Sequence, residues 1–231
     1  AIGVAPPSTL LQQCLTSGQF CNQIQRDALG TLWVTPGARI VSTNLNLGAY
    51  YTNGIDFGVN WTTRMGNMGG LGLNLLGSWV NTWRFEPIKG AGNFDCVGLF
   101  GPQCGTPIPE WRHKARATWA TPWNTDLALT WRYIGAVDHE GTTKQPLLTA
   151  PGGVDLTDQK LKDVHYFDIA AAWTINKTFT LRGGINNIFD VDPPIISSVT
   201  ADPSIFGNGN TFPQIYDTLG RLIFVNLSMK F

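Results

Sequence analysis

The chain has 231 residues, and its 16 basic and 16 acidic side chains leave no formal net charge. That balance speaks against a broad cationic surface for nucleic acid. Only 14% of residues are charged, against about 25% in an average soluble domain, while nine Trp, twelve Phe and 26 Gly suit a protein with one face on lipid and the other in water.

Residues 1–48 read as loop, with one weak strand near residues 40–47. Cys14 and Cys21 lie there among Gly, Asn and Gln. Seven strands with period-two alternation follow. Residues 50–62 put Ile55, Phe57, Val59 and Trp61 on one face, with Gly54, Asp56, Gly58 and Asn60 on the other. Residues 70–83 keep Leu71, Leu73, Leu75 and Trp79 in phase. Cys96 and Cys104 come next, in a stretch rich in Gly and Pro. Residues 111–121 place Arg112, Lys114, Arg116 and Thr118 together. Residues 125–136 set Leu127, Leu129, Trp131 and Tyr133 opposite Asp126, Thr130 and Arg132. Residues 164–175 alternate Phe167, Ile169, Ala171 and Trp173 with Tyr166, Asp168 and Thr174. Residues 178–189 oppose Phe179, Leu181 and Ile185 to Thr180, Arg182 and Asn186. Residues 221–231 run Ile223, Val225, Leu227, Met229 and Phe231 against Asn226, Ser228 and Lys230.

The phase of the charges is the informative observation. Asp56, Arg112, Lys114, Arg116, Asp126, Arg132, Asp168, Arg182 and Lys230 all fall opposite the apolar face, whereas His113 breaks phase. A soluble sandwich would need a second sheet to cover the apolar face. The connections alternate short with long, which is the plan of an outer-membrane barrel with turns at one rim and loops at the other. Trp and Tyr recur near the strand ends, as in interfacial girdles. No apolar run approaches the ~18 residues of a membrane-spanning helix, and strands that span a membrane give no such signal. The expected fold is all-β: an antiparallel transmembrane β-barrel, present in part.

Four cysteines allow three pairings, and joining nearest neighbours, Cys14 with Cys21 and Cys96 with Cys104, closes two short loops at low entropic cost. A zinc site would need tighter Cys spacing or nearby His. Disulfides place these segments in an oxidising compartment.

A family resemblance rests mainly on the last 70 residues. Phe167-Asp168-Ile169, followed by Leu181-Arg182-Gly183-Gly184-Ile185-Asn186-Asn187-Ile188-Phe189-Asp190, resembles the penultimate hairpin of TonB-dependent receptors. The ending Tyr216-Asp217-Thr218-Leu219-Gly220-Arg221, with its alternating strand to Phe231, is similar to their last strand. Asn44 with Gly54-Ile55-Asp56, Pro109-Glu110-Trp111-Arg112, and Trp131-Arg132-Tyr133-Ile134-Gly135 fit the same order.

The resemblance implies a 22-stranded barrel closed by an N-terminal plug, of which residues 49–231 supply about seven C-terminal strands and residues 1–48 mostly an extracellular loop. The plug is absent from the sequence given. It further implies an outer-membrane receptor of a Gram-negative bacterium, with its C-terminus in the periplasm. Such a receptor takes up a scarce nutrient of the siderophore-iron, cobalamin or carbohydrate class with energy from TonB-ExbB-ExbD. The expected partners are that system, outer-membrane lipids, a small-molecule ligand and the barrel-assembly machinery, which would read Phe231; no nucleic acid and no cofactor are expected. A passive porin-like or adhesive barrel is the alternative.

No catalytic constellation stands out, so no enzyme is expected. Asp138-His139-Glu140 reads as a solvated polar cluster in a long loop. The inward charges Asp56, Arg112, Lys114, Arg116, Asp126, Arg132, Asp168 and Arg182 read first as a hydrated wall paired with plug carboxylates or with one another, since both signs are mixed. The competing reading is attraction of an anionic ligand. Phe94, Phe100, Phe206 and Phe212 are expected as loop aromatics for ligand stacking.

Overall fold

The structure is a computed structural model, and it describes residues 2–148, 154, 158–198, 200 and 209–230. The alternating segments form seven long strands: β1 (Ala49–Arg64), β2 (Gly70–Glu86), β3 (Trp111–Ala120), β4 (Thr125–Ile134), β5 (Val164–Thr174), β6 (Phe179–Asn186) and β7 (Leu222–Met229). They pair in chain order into one sheet, and a short strand, Phe94–Asp95, adds beside β2. The pairings from β2 to β7 are antiparallel. This is the predicted order, with strand ends moved by no more than a few residues.

Register follows from the short turns. Between β1 and β2, Met65 N–H donates to Gly69 O at 2.8 Å. Gly69 has φ +93°, and a Cβ there would lie 2.0 Å from Ala120 O, so only glycine fits. Between β3 and β4, Thr121 N–H donates to Thr125 O at 2.9 Å, with Asn124 at φ 54°. Between β5 and β6, Asn176 Oδ1 accepts from Thr178 N at 2.8 Å and Phe179 N at 2.9 Å, a side-chain turn of the kind Asn favours. Across β2 to β7, paired residues join odd to odd or even to even positions. Odd positions therefore share one face, mainly apolar, and even positions share the other, which carries the charges.

The chain divides into two compact units. The first, Ala1–Tyr50 with Phe85–Asn93, contains more structure than the loop expected of residues 1–48. A helix α1 (Pro7–Ser17) begins with Pro at its first turn and stops at Gly18, φ 72°, as helix-end chemistry favours. Ile2–Val4 pairs with Asn44–Asn46, and Ile24–Gln25 with Arg39–Ile40. Leu10 of α1 packs with Ala5, Leu47 and Ile88 in a small core, and the disulfide Cys14–Cys21 ties the end of the helix to the next turn.

The second unit, Tyr51–Arg84 with Phe94–Phe231, holds most of the sheet together with the long loops. Its principal core lies among the loops, where Phe100, Val137, Leu161, Val164, Tyr166, Ile196, Phe212 and Tyr216 are buried together. Leu99–Phe100 runs parallel to Val137–His139, which pairs antiparallel with Lys160–Leu161. The disulfide Cys96–Cys104 closes the loop that enters this cluster.

Candidate functional site

The polar face of the sheet gathers the charges that the sequence put in phase. Arg112, Lys114 and Arg116 are alternate residues of β3, and rows run from them across the sheet. Ser78, Arg112, Ile134 and Val164 make one row; Leu76, Lys114, Arg132 and Tyr166 the next; Asn74, Arg116, Thr130 and Asp168 the third. Asp126, Ala172, Arg182 and Asn226 form a further row at the short-turn rim.

Arg132 is the most engaged member. Its guanidinium donates to both Asp168 oxygens at 2.9 Å and to Asp217 at 3.3 Å. It also lies over the Tyr166 ring, 4.8 Å from the centroid. A planar fork against a carboxylate gives two parallel charge-assisted bonds. Asp168 accepts a third bond from Asn187 N at 2.9 Å, and Asp217 N–H donates to Tyr166 Oη at 3.1 Å. Asp56 accepts from Ser78 Oγ. Among the described residues no ion pair involves Arg112, Lys114, Arg116, Asp126 or Arg182. Asp217, which completes the Arg132 cluster, lay in a loop with no periodicity and was not among the residues expected at the site.

The apolar face carries two aromatic bands. Near the long-loop rim, Trp111, His113, Trp131, Tyr133, His165 and Phe167 stack or meet edge-on across three strands. Near the short-turn rim, Trp119 meets Trp123. Trp111 to Trp119 is eight residues of strand, roughly 26 Å at about 3.3 Å each, close to the apolar band of a membrane barrel. His113 breaks charge phase because it belongs to the upper band. Trp111 Nε1–H donates to His113 Nδ1 at 2.9 Å, and Trp131 Nε1–H to His165 Nδ1 at 3.1 Å.

Above the wall, the loop cluster corrects two expectations. Phe94, Phe100 and Phe212 are 3%, 0% and 0% exposed; they are packing residues, not free stacking surfaces, and Phe206 lies outside the described residues. In Asp138-His139-Glu140 only Asp138 is solvated, where it pairs with Lys160 at 3.6 Å, whereas His139 and Glu140 are buried. Glu140 accepts from Gln103 N at 3.0 Å and Cys104 N at 2.7 Å. Gly101 makes room for it, since a Cβ there would fall 2.5 Å from the Glu140 carboxyl carbon. Burial pushes the Glu140 carboxyl up and the His139 imidazole down. Burial also raises Asp158, but bonds from Ser197 and Thr200 outweigh it and hold that carboxyl below its ordinary range. Among the described residues no group of three or more His, Cys, Asp or Glu is placed to hold a metal ion.

The Asn187…Asp190 pair in the family-like stretch has a structural task. Both residues adopt left-handed backbone, φ 52° and 56°, which Asn and Asp tolerate better than most residues. Asn187, fully buried, donates from Nδ2 to Val191 O and accepts at Oδ1 from Val191 N, each at 2.9 Å. Asp190 Oδ1 accepts from Arg221 N at 2.8 Å. The exit of β6 is thereby tied to the entry of β7 across a loop of more than thirty residues.

The sequence matches the family described as TonB dependent receptor-like, beta-barrel, over residues 19–188. The chain belongs to that family. Its members are outer-membrane receptors and transporters, not enzymes. Among solved structures, the G324V mutant of the ferric enterobactin receptor of Pseudomonas aeruginosa is similar, with a TM-score of 0.53, 12% identity, and coverage of 83% of this chain and 24% of that one. The Q482A mutant in complex with enterobactin gives 0.53 and 13% over the same shares. The R480A mutant, also with enterobactin, gives 0.50 and 12%, covering 79% and 23%. At such identity the likeness establishes the fold. This chain spans about a quarter of the length of those receptors. No curated protein matches the sequence.

Proposed function

We propose that this chain is the closing wall of an outer-membrane receptor that imports a scarce nutrient, of the siderophore-iron, cobalamin or carbohydrate class, with energy relayed by TonB-ExbB-ExbD through an N-terminal plug. The observation that carries this reading is the division of one sheet into two opposed faces. Apolar side chains and aromatic bands occupy one face; charged side chains, roofed in part by the last long loop, occupy the other. Lipid suits the first face and a watered lumen the second. The Arg112-to-Arg182 set then lines the lumen, where its members meet ligand or plug. The long loops lie outside the cell and the C-terminus in the periplasm, with Phe231, outside the described residues, as the assembly signal.

The experiment is uptake of labelled ferric siderophores, cobalamin and oligosaccharides by cells carrying the full-length receptor, with and without TonB. TonB-dependent accumulation of one of them supports the reading. Accumulation that persists unchanged without TonB overturns it in favour of a passive pore.

A further inference from the structure

The two disulfides have unequal reach. Cys14–Cys21 joins residues seven apart and lies within the first unit, at the end of α1. Cys96–Cys104 joins residues eight apart and stands where the long loops of the second unit meet. Cys96 N–H donates to Trp83 O at 2.9 Å, which fixes that end of the bridge to β2. The other end sits in a tight turn, where Gly101 and Gly105 exchange N–H···O bonds of 3.0 and 2.7 Å. The Gln103 and Cys104 amides at the head of this turn donate to Glu140. Cys104 is therefore both half of the disulfide and the donor of the shortest bond to the buried acid.

Glu140 passes the connection on to the rest of the cluster. The backbone just before it is bonded on both sides: Asp138 N–H donates to Gly98 O and His139 N–H to Gln159 O, each at 2.8 Å. The His139 ring meets Phe100 edge-on at 5.2 Å, and Phe100 meets Phe212 of the last loop at 5.8 Å. A buried carboxylate depends on its donors, because a buried charge without partners is costly. Burial raises this carboxyl, and the two amide bonds oppose the rise. If the turn moves away, Glu140 must take up a proton or leave the cluster. Access to the bridge is one-sided. Cys96 is 1% exposed, while Cys104 is half-buried and its neighbours Pro102 and Gln103 are exposed.

We propose that Cys96–Cys104 is a redox-sensitive strap: reduction by a small thiol releases the 101–105 turn from Glu140 and loosens the loop cluster, while the wall stays closed. A thiolate attacks Cys104 Sγ, the S–S bond breaks, and Cys96 leaves as a thiolate and takes up a proton. A second thiolate attacks the small thiol's sulfur in the mixed disulfide, and Cys104 leaves and is protonated in turn. Two small thiols are thus oxidised to one disulfide while the protein disulfide is reduced to two cysteines. The strap's exposure to an external thiol rests on the outer-membrane reading; its coupling to the cluster does not.

The test follows hydrogen exchange in the detergent-solubilised full-length receptor before and after treatment with reduced glutathione. The Cys14→Ser, Cys21→Ser variant is used, so that of these two disulfides only the strap is left. Alkylation and mass measurement of the 96–104 peptide report its reduction, and unchanged heat-modifiable mobility on gels shows that the barrel is folded. Reduction is expected to speed exchange in segments 98–105 and 137–145 at least about tenfold, with β3 to β5 unchanged, and reoxidation to restore it. Cys96→Ser with Cys104→Ser should show the loosened pattern with no thiol added. In Glu140→Gln, which keeps an acceptor but carries no charge, reduction should loosen 137–145 less. The strap is overturned if the pair resists glutathione until the receptor unfolds, or if reduction speeds exchange in 98–105 alone. It is equally overturned if β3 to β5 open as well, or if Glu140→Gln loosens just as far. Uptake plays no part in this readout, so transport that proves independent of TonB would sink the uptake reading and leave the strap standing.

Discussion

The wall and the loop cluster of the second unit are built on opposite terms. The wall draws on backbone pairing between neighbours in the sequence, and its side chains are sorted by parity alone. The cluster draws on burial of residues as far apart as Phe100 and Phe212, with acids such as Glu140 and Asp158 bonded inside it. A repeating surface that meets two solvents needs alternation and little side-chain specificity; an irregular lid needs particular residues at particular places. Substitutions should therefore be local and severe in the cluster and diffuse in the wall.

The largest effect is expected for Phe100→Ala in the full receptor. Emptying a fully buried aromatic site costs about 3–5 kcal/mol. Hydrogen exchange should show segments 96–104 and 137–148 opening together, with β3 to β5 still protected. Loss of protection in the strands would mean that the two regions are one cooperative unit and would break the contrast. Arg132→Ala, which strands Asp168 and Asp217, should cost less than the ~3–5 kcal/mol of a fully buried broken pair, because the guanidinium is 31% exposed. Adding Asp168→Asn should recover part of that loss, as a double-mutant cycle would report. No recovery would show that Arg132 acts through packing on Tyr166 instead.

Acidification separates the regions further. Burial lowers the His139 pKa below its ordinary 6.5, so this ring contributes stability that is complete above 6.5 and lost as pH falls toward the lowered value. Glu140, raised by burial from 4.5, works in the reverse sense and gains stability as pH falls through its raised value. Cluster protection should thus fall moderately below pH 6.5, and His139→Gln should flatten that fall; an unaltered profile in the variant would rule His139 out as the cause. The smallest effect is expected in the first unit, where bonds from Thr31, outweighing burial, and from Thr35 hold Asp27 down to about 2 from 3.8. Its contribution is complete above 3.8 and lost between 3.8 and about 2. Asp27→Asn should remove a transition in that window seen by Trp33 fluorescence, leaving neutral-pH behaviour nearly unchanged.

The strands were legible because each residue in them reports its own side. Asp56, Arg116 and Asp168 could be assigned to one face with no knowledge of their neighbours. His113 broke the pattern, and the rule that would have placed it is that an amphipathic ring belongs in an aromatic band beside Trp111. Helix α1 carried usable punctuation in Pro6-Pro7-Ser8 and Gly18, but its apolar stripe is thin and only Leu10 is buried. The cluster was not legible because its core residues share no period. Phe100 and Phe212 look like any loop aromatic until long-range packing buries them. Glu140 resembled a solvated acid for the same reason, since the amides that satisfy it belong to Gln103 and Cys104.

Constant parity across the sheet makes the numbering itself a map. A single cysteine introduced at an odd position of β3 to β7 should be reached by a membrane-soluble maleimide, and one at an even position by a water-soluble reagent. Two neighbouring sites on one strand, such as positions 117 and 118, then form a matched pair differing in little but solvent. Leu76, Leu222 and Phe224 stand out on that map as apolar side chains on the polar face, the places where another surface has most to gain by resting against the wall.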